Sequence, residues 1–426
     1  MAYVVLILSS LRGGIFLLTG LPPLTNIFFT ITMVNIAFAV LPSRLFYYIK
    51  NHGELNTYLK LLIINVIFGL IWCIAEITIF GYRIGPIRIF LFYFIVPFCV
   101  LSFIRAKDSY ITATIYFIAI IVSISCIIQF IISNFFPGPP IGLQIMRGPL
   151  MAIIPDFRLF EETGVMYSHV GPLYRAHGIT GHYHDSGNIL TMASVYCVGH
   201  TLYKKTNIFT IFLSVVILLG LLSTLSIANI FAAIIGITII SLFSYRGLFK
   251  RIFIIVVIGY ALLFNSTFQS TQDQFRVTAI DVFSSLNLET SGGKMEAMLN
   301  VGSSDTSERI ISMLFGHERS SGISNMGYYS EISFVIMLME FGIVTFILLM
   351  MVLCFPIYIY FISNKKLRNE MWIPFVTVCT GILTLWHYGS LLRSTSIFLF
   401  FAFYSMVIKK YSAITINTKN NIILPN

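Results

Sequence analysis

The sequence predicts an all-α fold: a polytopic membrane bundle of about twelve transmembrane helices with two long loops on the outer face. Hydrophobic residues make up 57% of the 426 residues and charged residues only 10%. A soluble domain carries roughly 25% charged residues. Long uncharged apolar runs also recur, and about 20 such residues cross the hydrocarbon core of a bilayer. Basic residues, finally, concentrate in alternate connecting segments. We therefore predict one transmembrane domain over 1–426.

The apolar runs set the order of the helices along the chain. The first run begins almost at Met1 and lacks a basic leader and a small-residue cleavage site, so it is interpreted as a retained helix. The run at 331–361 is long for one crossing, and its first turns are expected above the membrane. The predicted helices lie near 3–20, 24–41, 58–79, 88–104, 109–133, 186–203, 207–222, 226–244, 251–267, 331–361, 371–391 and 394–408.

The basic residues predict the orientation. If Met1 is cytoplasmic, sixteen of the 27 Lys and Arg lie on the inner side, whereas the short outer loops hold only Arg83, Arg88 and Arg393. Basic residues near helix ends stay on the cytoplasmic side, so both termini are predicted to be inside. The net charge of +10 is thus explained by topology, and no nucleic-acid partner is expected. All six cysteines lie within apolar runs, without disulfide or zinc spacing.

Two outer loops, 134–185 and 268–330, gather the polar chemistry. Twelve of the 17 acidic residues lie between Asp156 and Glu331, and five of the eight histidines lie in the two loops. Loops longer than about 15 residues are usually functional or disordered. The active site is therefore predicted on the outer face.

The densest polar segment is 174–188, at the end of the first loop. It combines Arg175, three imidazoles, a carboxylate and three glycines, Gly178 among them. Arginine offers a planar fork of donors that matches phosphate, and glycine allows close approach of backbone to a ligand. The alternative is a solvated loop on the membrane surface. His182 and His184, followed by Asp185, could share a metal ion, but this spacing is a weak signal and no metal is expected.

Two further segments carry candidate residues. The segment 303–319 suits a short helix bearing Arg309; the alternative is a surface helix whose charges only meet water. The segment 328–342 carries Glu331 and Glu340, nine residues or about two and a half helical turns apart. Ionisable residues at the membrane boundary are functional candidates, and Glu331 is the better catalytic one. Glu340 could instead pair with an arginine or cap a helix in the bundle.

These elements, in this order, resemble the O-antigen polymerase and O-antigen ligase superfamily of bacterial polysaccharide assembly. The resemblance covers about 109–361. It is carried by Arg175-x-x-Gly178 with the His-rich cluster before a helix, by Arg309 followed by Leu-Phe-Gly316, and by the helix from Glu331 to Gly342. A Leu-Ser-Thr-Leu-Ser226 segment is similar to the Ser/Thr-rich helix junction of that family. Ligases commonly have a histidine at the position of Glu331, which favours a polymerase.

The resemblance implies a glycosyltransferase that joins undecaprenyl-diphosphate-linked oligosaccharides into O-antigen, capsule or exopolysaccharide. It implies a bacterial inner-membrane location, and a chain-length regulator as a further candidate partner beside the lipid bilayer. Arg175 and Arg309 would clamp the diphosphate, because fixed cations stabilise the leaving group. Glu331 or His182 would act as the base, with His184, Asp185, Gly178 and Glu340 in support. No cofactor is expected.

Two alternatives stay open from the sequence. A ligase would move finished glycan to a lipid A core or a protein. A flippase or secondary transporter would have the same composition and helix number. Against the transporter, polar residues gather in the outer loops rather than at mid-bilayer, where transporters bind substrate.

Overall fold

A computed structural model describes ten ranges of the chain: 2–11, 53–80, 84–104, 106–135, 169–170, 173–180, 183–203, 208–243, 333–385 and 396–422. Within them the chain is almost entirely helical, and the strands are confined to one short hairpin. The helices predicted near 24–41 and 251–267, and the loop 268–330, lie outside the described residues.

Eleven α-helices are described, most of them at the positions that the apolar runs predict. Leu91–Ile95 is a π-helix and Val96–Phe98 a 3-10 turn, and the hairpin pairs β1 (His169–Val170) with β2 (Leu173–Tyr174). The α-helices are α1 (Ala2–Ser10), α2 (Gly53–Phe80), α3 (Ile84–Phe90), α4 (Cys99–Ile104), α5 (Asp108–Phe135), α6 (Tyr183–Tyr203), α7 (Ile208–Ser223), α8 (Ile227–Leu242), α9 (Ser333–Ile362), α10 (Lys365–Thr384) and α11 (Ile397–Ile422).

The helix predicted at 88–104 is broken in its middle. Its α-helical geometry gives way to the π and 3-10 turns between α3 and α4, around Pro97. Proline has no N–H to donate to the helical ladder, and its ring clashes with the preceding turn. The single continuous helix predicted there is therefore corrected to two short helices with an irregular centre.

Other boundaries shift for local reasons. α10 begins at Lys365 rather than near 371, because the side chain of Asn364 accepts a hydrogen bond from the Leu367 N–H at 3.0 Å and caps the helix. α11 continues to Ile422, past the predicted end at 408. α6 begins at Tyr183, so the last three residues assigned to the loop 134–185 form its first turn instead.

Three of the described helices are long and apolar enough to cross a membrane: Leu55–Thr78, Asp108–Phe135 and Phe341–Ile362. Shorter apolar helices lie at Leu91–Ile104, Ile208–Ser223 and Ala228–Leu242. Large apolar side chains stay exposed along their outer faces, among them Ile67, Ile128 and Phe212. Contiguous apolar surface of this kind is typical of a protein that faces lipid.

α6 is the central helix of one half of the bundle. It packs against α5, α7, α8 and α10, and its side chains are buried around nearly the whole circumference. It is nevertheless rich in polar residues, with Asp185, Ser186, Asn188, Thr191 and Ser194 all buried. A polar helix enclosed by apolar neighbours is a place where a membrane protein can build a site.

The other half of the bundle is built on α2 and α9. Buried residues recur along α2 at alternating spacings of three and four, which aligns them on one face towards α9 and α3. Trp72 on this face contacts Phe341 with ring centroids 4.9 Å apart. α9 kinks directly after that contact, at Gly342, whose φ of 71° is available to glycine at little cost. The segment 333–341 thus takes a direction of its own.

Candidate functional site

The hairpin and the segment after it are held by polar side chains near the C-terminal end of α5. Asn134 accepts a hydrogen bond from the Tyr174 N–H at 2.7 Å and donates its Nδ2 to the Tyr174 carbonyl at 3.1 Å. The side chain therefore pairs with Tyr174 as a neighbouring strand would. Since Tyr174 directly precedes Arg175, Asn134 fixes the chain where the candidate arginine begins.

Gln129 and Ser125 continue this row of polar side chains down the same helix. The Gln129 Oε1 accepts two hydrogen bonds, from the N–H groups of His177 at 2.9 Å and Gly178 at 2.7 Å. The Ser125 Oγ accepts the Ile179 N–H at 3.0 Å. Consecutive backbone N–H groups that would otherwise be buried without partners are thereby satisfied.

Gly178 lies at the closest point between this segment and α5. Its φ is +60°, and a Cβ added there would come within 2.6 Å of the Cys126 sulfur. The backbone is also tied to α6, because the Ser186 hydroxyl donates to the His177 carbonyl at 2.7 Å and shares a 2.8 Å hydrogen bond with Thr180. Only glycine meets the steric and conformational demands of this position.

Arg175 projects from the segment 174–180, which α5 holds in place, over the ring of Tyr183. The guanidinium carbon lies 4.5 Å from the ring centroid, a cation–π contact. The ring of Tyr183 in turn contacts His177 and His184, at centroid distances of 5.5 Å and 4.1 Å. The Arg175 Nε is buried and has no hydrogen-bond partner in the described part of the chain. The Arg175 Nε is thus a positioned donor without an acceptor in the described part of the chain, and such a donor is suited to binding an anion.

The turn between α7 and α8 closes the site from the other side. The Ala176 N–H donates to the Ser223 carbonyl at 3.0 Å, which brings the end of the first predicted outer loop against this turn. Leu225 in the turn has a φ of 47°, an uncommon conformation for a non-glycine residue. Asn229 follows on α8 and donates to the Ser226 hydroxyl at 3.0 Å and to the His184 carbonyl at 3.5 Å.

The structure brings four of the predicted site residues into one region. Arg175 and Gly178 lie in the fixed segment, and His184 and Asp185 lie in the first turn of α6, where Asp185 is buried. Asp185 and the N–H groups of the first turn of α6 therefore lie beside the segment 174–180, which carries Arg175. A carboxylate at a helix start is favourable for the helix dipole, so Asp185 also serves the fold.

The structure does not describe the side chains of the remaining candidates. His182, Arg309 and Glu331 lie outside the described residues, and Glu340 is described only as part of the helical backbone of α9. Their assignment to the site stays a prediction. Within the described ranges, no group of three His, Cys, Asp or Glu side chains could hold a metal ion.

Sequence reasoning missed the residues that support Arg175. Ser125 and Gln129 were assigned to an apolar helix and Asn134 to the start of the outer loop, and Tyr183 was not singled out. A signal was available, because Ser125 and Gln129 are four residues apart in an apolar helix and therefore lie on one face. Polar groups in such helices usually have partners. The identity of the partner, the backbone of 174–179, depends on tertiary structure.

We expect Gln129→Leu to release the segment that carries Arg175. Two N–H groups would lose their acceptor, at a cost of about 1–3 kcal/mol each. Hydrogen exchange of the peptide containing 175–180 should speed up in Gln129→Leu and stay near wild type in Gln129→Glu, which keeps an acceptor at this position. Equal exchange in wild type and Gln129→Leu would show that the side chain does not fix the segment.

Comparison of the chain with models of protein families found no match, and neither did comparison with curated proteins.

Proposed function

We propose that the protein is a membrane glycosyltransferase that polymerises undecaprenyl-diphosphate-linked oligosaccharide repeat units into O-antigen, capsule or exopolysaccharide. The observation that carries the proposal is the fixed arginine. The guanidinium of Arg175 lies 4.5 Å from the Tyr183 ring centroid, at the start of a buried polar helix. The backbone on either side of Arg175 is hydrogen-bonded to three polar side chains of α5. Preorganised donors of this kind stabilise charge that develops on a leaving diphosphate.

The proposed reaction moves a glycan from its lipid carrier to a hydroxyl of an incoming repeat unit. The bond between the anomeric carbon and the diphosphate oxygen breaks, and a bond to the hydroxyl oxygen forms. Glu331 or His182 takes the hydroxyl proton, while Arg175 and Arg309 balance the charge on undecaprenyl diphosphate as it leaves. His184, Asp185 and Glu340 support the site.

The proposal includes the full topology that the sequence predicts. Twelve helices cross the cytoplasmic membrane, with both termini inside and the loops 134–185 and 268–330 outside. Two contacts are consistent with this arrangement. At one end of the bundle Ala176 bonds to Ser223, both on segments predicted to be outer. At the opposite end the Lys409 Nζ lies 2.9 Å from the Asp108 carboxylate, both on segments predicted to be inner.

Deletion of the gene in its own organism tests the proposal. We expect the ladder of surface polysaccharide on a gel to collapse to a single repeat on its acceptor, and expression of the wild-type gene to restore it. Accumulation of long chains on the carrier lipid would instead identify a ligase. An unchanged ladder would contradict a role in polysaccharide assembly.

A further inference from the structure

Two buried hydrogen-bond donors lie one turn apart near the start of α10. They are the Nε of Arg368 and the Nε1 of Trp372, and neither has a hydrogen-bond partner among the described residues. Residues four apart on a helix share one face. A buried donor without a partner costs about 1–3 kcal/mol. Two such donors, side by side, indicate an acceptor that is not part of the chain described.

The surroundings of the two donors are aromatic and open towards lipid. The Trp372 ring lies 5.2 Å from Phe243 and 6.1 Å from Tyr360, measured between ring centroids. Phe243 is 64% exposed and Phe361 66% exposed. Large exposed rings at the ends of apolar helices are typical of the membrane interface. The donors therefore lie at the perimeter of the bundle, next to side chains that would contact acyl chains.

The charge around the donors is positive. Lys365 and Lys366 are exposed in the first turn of α10, whose N-terminus adds the positive end of a helix dipole. Lys410 donates to the Glu370 backbone carbonyl at 2.8 Å, close to the same turn. Glu370 is the acidic residue of this stretch, and its side chain is exposed. The balance of charge favours an anionic ligand.

We propose that Arg368 and Trp372 bind the phosphate of an anionic phospholipid in the inner leaflet. Phosphate oxygens accept hydrogen bonds from guanidinium and indole N–H groups. The exposed rings of Phe243 and Phe361 would lie along the acyl chains. Basic pockets between helices at the cytoplasmic interface suit such headgroups, and this end of the bundle is the one predicted to be cytoplasmic. The inference needs a bilayer but not the proposed glycosyl transfer, so each can fail alone.

Native mass spectrometry of the purified full chain tests this site, with phosphatidylglycerol and phosphatidylcholine as the probes. Both lipids carry the phosphate, and a hydrogen bond to it contributes about one decade of affinity. We expect wild type to retain phosphatidylglycerol more tightly, because Lys365 and Lys366 repel the choline cation of phosphatidylcholine. Arg368→Gln and Trp372→Phe should each lower this affinity about tenfold, and Trp372→Phe keeps most of the ring packing. Lys107→Gln, an exposed basic residue elsewhere on the same predicted face, should bind as wild type does.

Three results would overturn the proposal. Equal retention of the two lipids would remove the preference for an anionic headgroup. Unchanged phosphatidylglycerol affinity in both variants would remove the two donors from the site. Displacement of phosphatidylglycerol by low concentrations of inorganic phosphate would identify a site for a free anion rather than for a lipid. If Arg368→Gln does not fold by size-exclusion chromatography, Trp372→Phe alone decides between these results.

Discussion

Arg175→Ala is expected to reduce polymerisation by about 100- to 1,000-fold, the usual effect of removing one preorganised donor from a charge-stabilising site. The physical reason is that the guanidinium is held ready over Tyr183, so no ordering is needed when the diphosphate leaves. The measurement is the rate of chain extension by purified protein with lipid-linked repeat units. Arg175→Lys should recover only part of the rate, because an ammonium lacks the planar fork of donors.

Substitutions of Tyr183 separate the role of the charge from that of its position. Tyr183→Phe keeps the ring beneath the guanidinium and should retain most of the rate, whereas Tyr183→Leu should lose up to about 2 kcal/mol of cation–π stabilisation. Tyr110→Leu is the matched control. Its ring contacts Lys107 at 5.8 Å, near the start of α5 and away from the site. A fully active Arg175→Ala protein, inserted at wild-type levels, would rule out the proposed mechanism.

Gly178→Ala is the second substitution with a large expected effect. A φ of +60° costs a residue with a Cβ about 1–2 kcal/mol, and the new methyl group would press against Cys126 at 2.6 Å. Overpacking of this kind adds about 1–3 kcal/mol. We expect a lower thermal stability and at least about a tenfold loss of activity, because the displaced segment carries Arg175. Thermal unfolding and the chain-extension rate measure the two effects.

Two variants test whether the loss comes from this position. Gly178→Ala combined with Cys126→Ala removes the nearest steric contact but keeps those with Ser125 and Ser186 at 3.0 Å and the backbone strain, so stability should return in part. Gly236→Ala introduces a Cβ against the Thr380 hydroxyl and, at 2.9 Å, against Val195 within the bundle, at helical φ. It should lower stability but leave the activity of the folded protein near wild type. Equal activity of Gly178→Ala and wild type would show that the segment tolerates movement.

Much of the helical architecture could be predicted because hydrophobicity alone marks a membrane-length helix. The run at 109–133 agrees closely with α5, which extends from Asp108 to Phe135. The run at 207–222 agrees closely with α7 (Ile208–Ser223). Irregularities were not predicted, since hydrophobicity does not change at them. The π and 3-10 turns around Pro97 and the kink at Gly342 lie within continuous apolar sequence.

The candidate site, too, could be predicted from the sequence only in part. Arg175, Gly178, His184 and Asp185 could be selected because polar and glycine residues stand out near an apolar helix. Their pairing with Gln129 and Asn134 could not be predicted, because these two residues are separated from them in sequence by 40 residues or more. Hydrogen bonds between such distant residues follow from the packing of α5 against the segment 173–180, which no local pattern encodes.

The sequence by itself determined that the chain is mostly helical, with helices long and apolar enough to cross a membrane, because 57% of its residues are hydrophobic and only 10% are charged. Tertiary structure alone decided that Arg175 lies over Tyr183 and that α5 holds it there. It also decided that Arg368 and Trp372 are buried donors at the rim of the bundle. The physical reason is that hydrophobicity acts on each segment separately, whereas hydrogen bonds and ring contacts depend on which segments meet.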